Sequence, residues 1–232
     1  MRILALETSD RDGSIALLAD DRVLAESALE PRQRTAQSLA PAVRALLVQI
    51  GFRPTDVELV AVATGPGSFT GLRIGVTLAK VFAYAAGCQT LGVNTLETIA
   101  ARAPVDAQEF WAVIDAQRQQ LFAALFARDE RGAIRYREET HVVDIDAWLE
   151  TLPPGSTVTG PALAKLAAQL PEGVKMLDSD VWRPTAVAVG LLAWKSYSAG
   201  RRDDPFTLVP QYFRRTAAEE QWERSRATED RG

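Results

Sequence analysis

Apolar segments run through the same order of elements twice along this chain, and no other feature constrains the fold so tightly. Arg2–Glu7, Ser14–Leu18 and Val23–Ser27 alternate or run apolar at strand length, with Asp10-Arg11-Asp12-Gly13 as a turn. A helix follows that carries Leu39, Val43, Leu46 and Ile50 on one face and ends at Gly51. Next come a continuous apolar strand over Val57–Thr64, a helix over Leu72–Ala86, a short strand over Gln89–Val93, and a helix over Leu96–Arg102 capped by Thr95. After Ala103-Pro104 the order restarts. Phe110–Asp115, Leu121–Ala127 and Ala133–Glu138 read as strands, Asp146–Glu150 as helix, Thr157–Thr159 as strand and Ala162–Leu170 as helix. Val174–Leu177 and Ala186–Ser198 close the series as strand and helix. Two successive β-β-β-α-β-α units, each too small to bury both faces of its sheet, predict an α/β protein of two like lobes packed together. The first lobe is expected over residues 1–104 and the second over 105–204. Segment 205–226 is expected to return to complete the first, and 217–232 to form a charged tail that buries little.

Composition narrows the chemistry. At 232 residues and 47% hydrophobic content the chain can bury a large core. No run approaches the length of a membrane span, and Met1-Arg2-Ile3-Leu4 enters a strand pattern directly, so neither a signal peptide nor a membrane helix is expected. Cys88 is the single cysteine; it allows no internal disulfide and fits a buried thiol in a reducing cytoplasm. His141 is the single histidine, so a histidine-pair metal site cannot form within this chain, and no metal or cofactor is expected. A net charge of −4 argues against tight, independent nucleic-acid binding, which rests on phosphate neutralisation. Glu7 and Asp115 are the carboxylates best placed, at strand ends, for any residual acid–base or metal chemistry.

The run Gly65-Pro66-Gly67-Ser68-Phe69-Thr70-Gly71-Leu72-Arg73-Ile74-Gly75 joins a strand to a helix. Its spacing, G-x-G-x-x-x-G, is one residue too long for the dinucleotide fingerprint, and no Gly-Lys-Ser/Thr follows for a P-loop. Beyond it, Gly71, Gly75, Ala79, Ala83 and Gly87 recur every fourth residue along one ridge, roughly 24 Å long at ~1.5 Å rise per residue. Glycine inside a helix costs roughly 1 kcal/mol relative to alanine, so the ridge requires a close neighbour. Spacing favours packing on the protein's own sheet; a helix of another subunit is the alternative. Arg73 sits where a cation opposes the helix dipole, and no acidic residue lies within a turn of it. Its partner is distant in sequence, bound, or on another chain.

Two such repeats, together with Ile3-Leu4-Ala5-Leu6-Glu7-Thr8-Ser9, the Gly65–Gly75 run, Ile114-Asp115-Ala116 and Pro210-Gln211-Tyr212-Phe213-Arg214, resemble the TsaB (YeaZ) family within the actin-like, sugar-kinase-like ATPase superfamily. The resemblance implies two actin-like, ribonuclease H-like lobes. It also implies a non-catalytic scaffold in tRNA threonylcarbamoyladenosine synthesis that pairs with the transferase TsaD. The ATPase TsaE would join that complex, tRNA would be reached only through it, and self-association into a dimer is the fate open to the chain alone. The family's contact is a bundle of first-lobe helices, which implies an interface at Leu39, Val43, Leu46, Gly71, Leu72, Arg73, Gly75, Val76, Ala79, Lys80 and Ala83. The resemblance thus shifts the ridge from self-packing to subunit contact. It further implies a vestigial nucleotide cleft, left empty, at Glu7, Thr8, Ser9, Asp115, Gly160 and Pro161. This chain departs from the family at Pro31-Arg32-Gln33-Arg34 and at Asp115-Ala116-Gln117, where the family's pattern places arginine third. Two other readings stand beside this one. An ATP-dependent small-molecule kinase of the same fold would use Glu7 or Asp115 to hold magnesium; a metallopeptidase lacks its histidines.

Overall fold

The computed structural model of the chain describes residues 1–30 and 32–213. The charged tail expected at 217–232, and all of 214–226, lie outside the described residues. Among the described residues ten strands form two five-stranded sheets of matching topology. The first contains β1 (Arg2–Glu7), β2 (Ser14–Ala19), β3 (Arg22–Ala28), β4 (Leu59–Gly65) and β5 (Gln89–Asn94), in the order β3-β2-β1-β4-β5. The second contains β6 (Glu109–Gln117), β7 (Gln120–Arg128), β8 (Ile134–Asp144), β9 (Thr157–Thr159) and β10 (Lys175–Met176), in the order β10-β9-β6-β7-β8. In each, an antiparallel three-strand meander adds two strands parallel to its first.

Side-chain alternation assigns the faces of the first sheet. Leu4, Leu6, Val60 and Val62 point to a layer made by α1 (Thr35–Ile50) and α2 (Phe69–Ala86). Ile3, Ala5, Leu59 and Ala61 point the other way, onto Ala186, Val189 and Ala193 of α6 (Ala186–Ser198). The second sheet buries Phe110, Ala112 and Phe126 under Leu96, Ile99 and Ala100 of α3 (Thr95–Ala100). Its opposite face, with Val113, Leu121 and Val158, lies under α4 (Ile145–Thr151) and α5 (Leu163–Leu166). Continuous apolar strands are thus buried on both faces, the condition that helices on either side impose.

The last helix of each repeat covers the sheet of the other. Helix α3 follows β5 in sequence yet packs on the second sheet, and α6 follows β10 yet packs on the first. A division at 105–204 therefore needs correction, because Ala186–Ser198 completes the core of the first lobe. The cap of α3 is also one residue earlier than expected: the Asn94 side chain accepts from Leu96 N–H at 2.8 Å, and Thr95 is the first helical residue.

After α6 the chain runs back over the first lobe as a strap, residues 201–213. Asp203 accepts from Gly92 N–H at 2.8 Å, Leu208 inserts into the α1–α2 core, and Gln211 N–H donates to Thr64 C=O at 2.7 Å. Phe213 ends the described strap against Phe122 of the second lobe, ring centroids 6.3 Å apart.

Candidate partner interface and interlobe cleft

The glycine-rich turn folds as it does because the end of β1 crosses it closely. Ser68 N–H donates to Ser9 C=O at 2.7 Å, and Thr8 Oγ1 donates to Gly71 C=O at 2.9 Å. A side chain at Gly71 would collide with Thr8 C=O, and one at Gly75 with Thr8 Oγ1. Ser68 caps α2 by accepting from Gly71 N–H at 3.2 Å, and Gly87, at φ 70°, ends the helix. The small ridge therefore serves the protein's own β1, as spacing alone had favoured. Gly71, Leu72, Gly75, Val76, Ala79 and Ala83 are buried within the first lobe, as are Leu39, Val43 and Leu46 of α1. These nine expected interface residues are core residues, and the correction has one cause: regular spacing defines a face without saying which way it points.

Two of the expected residues do face outward. Arg73 is exposed and Lys80 partly so. They belong to a stripe offset by two positions from the ridge: Arg73, Thr77, Lys80, Val81 and Tyr84. Val81 is 60% and Tyr84 79% exposed, and on the strap alongside, Phe206 is 74% exposed. The Tyr84 and Phe206 rings meet edge to face at 6.5 Å, and Lys80 Nζ donates to Phe206 C=O at 3.1 Å. Val48 on α1 is also open to solvent. Sequence reading missed Val81, Tyr84 and Phe206; the stripe was visible only as the complement of the ridge on the same helical wheel.

Between the lobes lies a cleft of about 990 Å³. Of the six residues expected there, Ser9, Asp115 and Pro161 line it. Glu7 lies fully buried beneath it, Thr8 is buried against α2, and Gly160 is wedged against the Val113 backbone. Ser9 caps Glu7 with two bonds of 2.5 Å from its N–H and Oγ to Oε1, while Oε2 has no partner. Burial pushes the Glu7 carboxyl up to about 7, against the opposing pull of the Ser9 bonds. Two cations at the cleft are paired with carboxylates. Lys165 Nζ meets Asp115 Oδ2 at 2.6 Å, and Arg183 pairs with Asp12 and, at 3.7 Å, with Asp10. Sequence reading did not anticipate Lys165 or Arg183, since both come from the second repeat's crossover segments.

His141 lies on β8 with Nδ1 2.9 Å from Glu139 C=O and its ring edge-on to Trp111. Among the described residues no group of three or more His, Cys, Asp or Glu side chains could hold a metal ion. Burial pushes the half-buried Cys88 thiol up to about 11, which suits a packed thiol rather than a nucleophile. Among the described residues no helix is long and apolar enough to cross a membrane.

The family profile described as TsaD, tRNA N6-adenosine threonylcarbamoyltransferase, matches residues 23–193. The chain belongs to that family, on its TsaB (YeaZ) branch. Similarity to proteins named tRNA threonylcarbamoyladenosine biosynthesis protein TsaB supports the branch. The Escherichia coli protein is 41% identical over 145 residues, 62% of each chain. The Bacillus subtilis protein is 36% identical over 152 residues, 66% of each. The alignments thus span just under two thirds of those relatives. A solved structure of YeaZ from Pseudomonas aeruginosa superposes with a TM-score of 0.76 at 27% identity, covering 91% of this chain and 99% of that one. The fold of YeaZ, two α/β lobes each built on a five-stranded mixed sheet, is accordingly the fold of this chain.

Proposed function

We propose that the chain acts in tRNA threonylcarbamoyladenosine synthesis as a non-catalytic scaffold that binds a TsaD transferase through the outward face of its α1–α2 layer. The observation that carries this reading is the exposed stripe of α2. Val81 and Tyr84 stay open on a helix whose other face is already sealed against β1, and Phe206 of the strap extends the apolar patch. Apolar and aromatic side chains clustered on a rigid layer mark surfaces that partners cover. The names of the relatives point to the pathway, and the likeness to a transferase profile points to a TsaD-type partner of similar fold. TsaE joins through that complex, and tRNA is reached the same way.

The cleft supports the non-catalytic part. Its carboxylates are either sealed, as Glu7 is under Ser9, or neutralised, as Asp115 is by Lys165. One histidine in the chain cannot form a metal-binding pair. In this reading the cleft is a remnant of the fold's lobed plan, without a nucleotide of its own, and the chain works in the cytoplasm where tRNA is modified.

Reconstitution tests the proposal. The purified chain, TsaD and TsaE are combined with tRNA, ATP and an activated threonylcarbamoyl donor, and threonylcarbamoylation of the tRNA is measured with each protein omitted in turn. Activity is expected only with the chain present, and Tyr84→Glu with Val81→Glu is expected to abolish TsaD capture while changing stability by no more than about 0.5 kcal/mol. Turnover of a phosphoryl or carbamoyl donor by the isolated chain, or micromolar magnesium-ATP binding by calorimetry, would instead identify an enzyme of the kinase type.

A further inference from the structure

Arg73 stands near the start of α2, where its charge opposes the helix dipole, and it is exposed. It is nonetheless engaged by neighbouring side chains. The guanidinium carbon lies 3.8 Å from the Phe69 ring centroid and 5.8 Å from that of Tyr212, and the two rings are 5.1 Å apart. Nε donates to Tyr212 Oη at 2.9 Å. The strap thus returns across more than a hundred residues of chain to clamp one arginine. Among the described residues no carboxylate answers it, and the ring contacts and the Nε bond leave the terminal nitrogens as an open fork.

The charges around it are segregated. Neither α1 nor α2 contains an Asp or Glu, while together they carry Arg44, Arg73 and Lys80, in a chain of net charge −4. A planar guanidinium held with two donors free is shaped for bidentate capture of a carboxylate. A second copy of this chain would bring the same cations to its own face and find no acid there. The aromatic rings against Arg73, and the exposed Val81 and Tyr84 further along the same helix, suit a protein surface rather than a phosphate backbone, which would ask for more cations.

We propose that the Phe69–Arg73–Tyr212 clamp is a preset receptor for an aspartate or glutamate side chain on the protein that docks against α2. This rests on the scaffold reading and adds to it the charge of the partner's contacting surface: acidic among apolar residues.

Calorimetric titration of the full chain with TsaD from the same organism, across a salt series, tests it with Arg73→Ala, Arg73→Lys and Arg73→Glu. Arg73 is exposed and its ring contacts and Nε bond stabilise only modestly, so thermal midpoints are expected to fall by no more than a few degrees. Affinity is expected to fall about 10- to 100-fold for Arg73→Ala and further for Arg73→Glu. Arg73→Lys should recover little, because lysine offers no planar fork, and the salt dependence of Kd should flatten in Arg73→Ala. Wild-type binding that Arg73→Ala leaves within about threefold overturns the receptor and spares the scaffold. Full rescue by lysine overturns the preset geometry. Absence of wild-type binding overturns both. If instead the isolated chain binds tRNA and Arg73→Ala removes that binding, the anion is phosphate and the carboxylate assignment fails.

Discussion

In the first lobe the turn Gly65-Pro66 leads into a helix of 18 residues; in the second, Gly160-Pro161 leads into one of four. The strand orders match, so the difference lies in what covers the sheets. Helices α4 and α5 are just long enough to bury Val113, Leu121 and Val158. Helices α1 and α2 bury their own sheet and still present an apolar, cationic outer face. The lobes also treat their first-strand carboxylates differently. Glu7, at the end of β1, is sealed, whereas Asp115, near the end of β6, faces the cleft and is held by Lys165. A duplicated unit can therefore keep its topology while one copy builds long helices with an exposed outer face and the other only covers its sheet.

The exchange of α3 and α6 sets the largest expected effect. If the lobes were independent, residues 1–104 would fold alone. In that fragment Ile3, Ala5, Leu59 and Ala61 lose their cover from α6. Exposing Ile3 and Leu59, at about 1.5–3 kcal/mol each, already approaches the lower range of a domain's stability, and Leu18, Leu91 and Val93 lose the same cover. The fragment is expected to show no cooperative thermal transition by circular dichroism, and to regain one when 105–213 is co-expressed. A cooperative melt of 1–104 by itself would mean that the exchanged helices are ornament.

The two faces of α2 set the next effect. Gly75→Leu drives a side chain into Thr8 Oγ1, and Val62 stands behind it. A loss of roughly 3–5 kcal/mol is expected in urea denaturation, since the obstacle is a hydrogen-bonded strand end rather than a flexible tip. Val81→Leu, on the outward face, should leave the midpoint unmoved. Equal effects at the two sites would erase the distinction between ridge and stripe.

Much of this contrast was legible in the chain itself. The order of elements along the chain, the repeat and the small ridge all follow from local periodicity, because alternation and four-residue spacing are fixed by backbone geometry. Arg73 was marked by its mismatch with the helix dipole. What periodicity could not supply was direction. Gly71 and Gly75 mark a close approach, but only the path of Thr8 across α2 shows whose backbone comes close. The crossing of α3 and α6 was likewise hidden, since both helices are apolar enough to cover either sheet. Tyr212 reaches Arg73 from 139 residues away, and no window along the chain joins them.

Glu7 sharpens the comparison through pH. Its carboxyl is held at about 7 in the fold, against about 4.5 when unfolded. The folded state therefore retains a proton that the unfolded chain has released, and stability falls as pH rises from about 4.5 to about 7. The full penalty, of order 3 kcal/mol, is present above that window and absent below it. Glu7→Gln keeps an acceptor for Ser9 and removes the titration, so its stability should vary less with pH. The comparison is of slopes from urea midpoints, because the amide also leaves a buried donor to satisfy. A wild-type profile as flat as that of Glu7→Gln would show that Glu7 is not sealed.

Asp115 and Lys165 complete the contrast with the smallest effect. Their side chains are 27% and 72% exposed, so the 2.6 Å pair is screened by solvent. Lys165→Met is expected to cost about 0.2–1 kcal/mol at low salt, and nothing measurable once the salt concentration shortens the screening length to a few ångströms. The two carboxylates answer to different conditions: burial makes Glu7 sensitive to pH and blind to salt, and exposure makes the Asp115 pair sensitive to salt. A loss that persists at high salt would place Lys165 in the second lobe's fold rather than at the cleft's surface. Asp115 would then be as structural as Glu7, and the two lobes would differ in helix length alone.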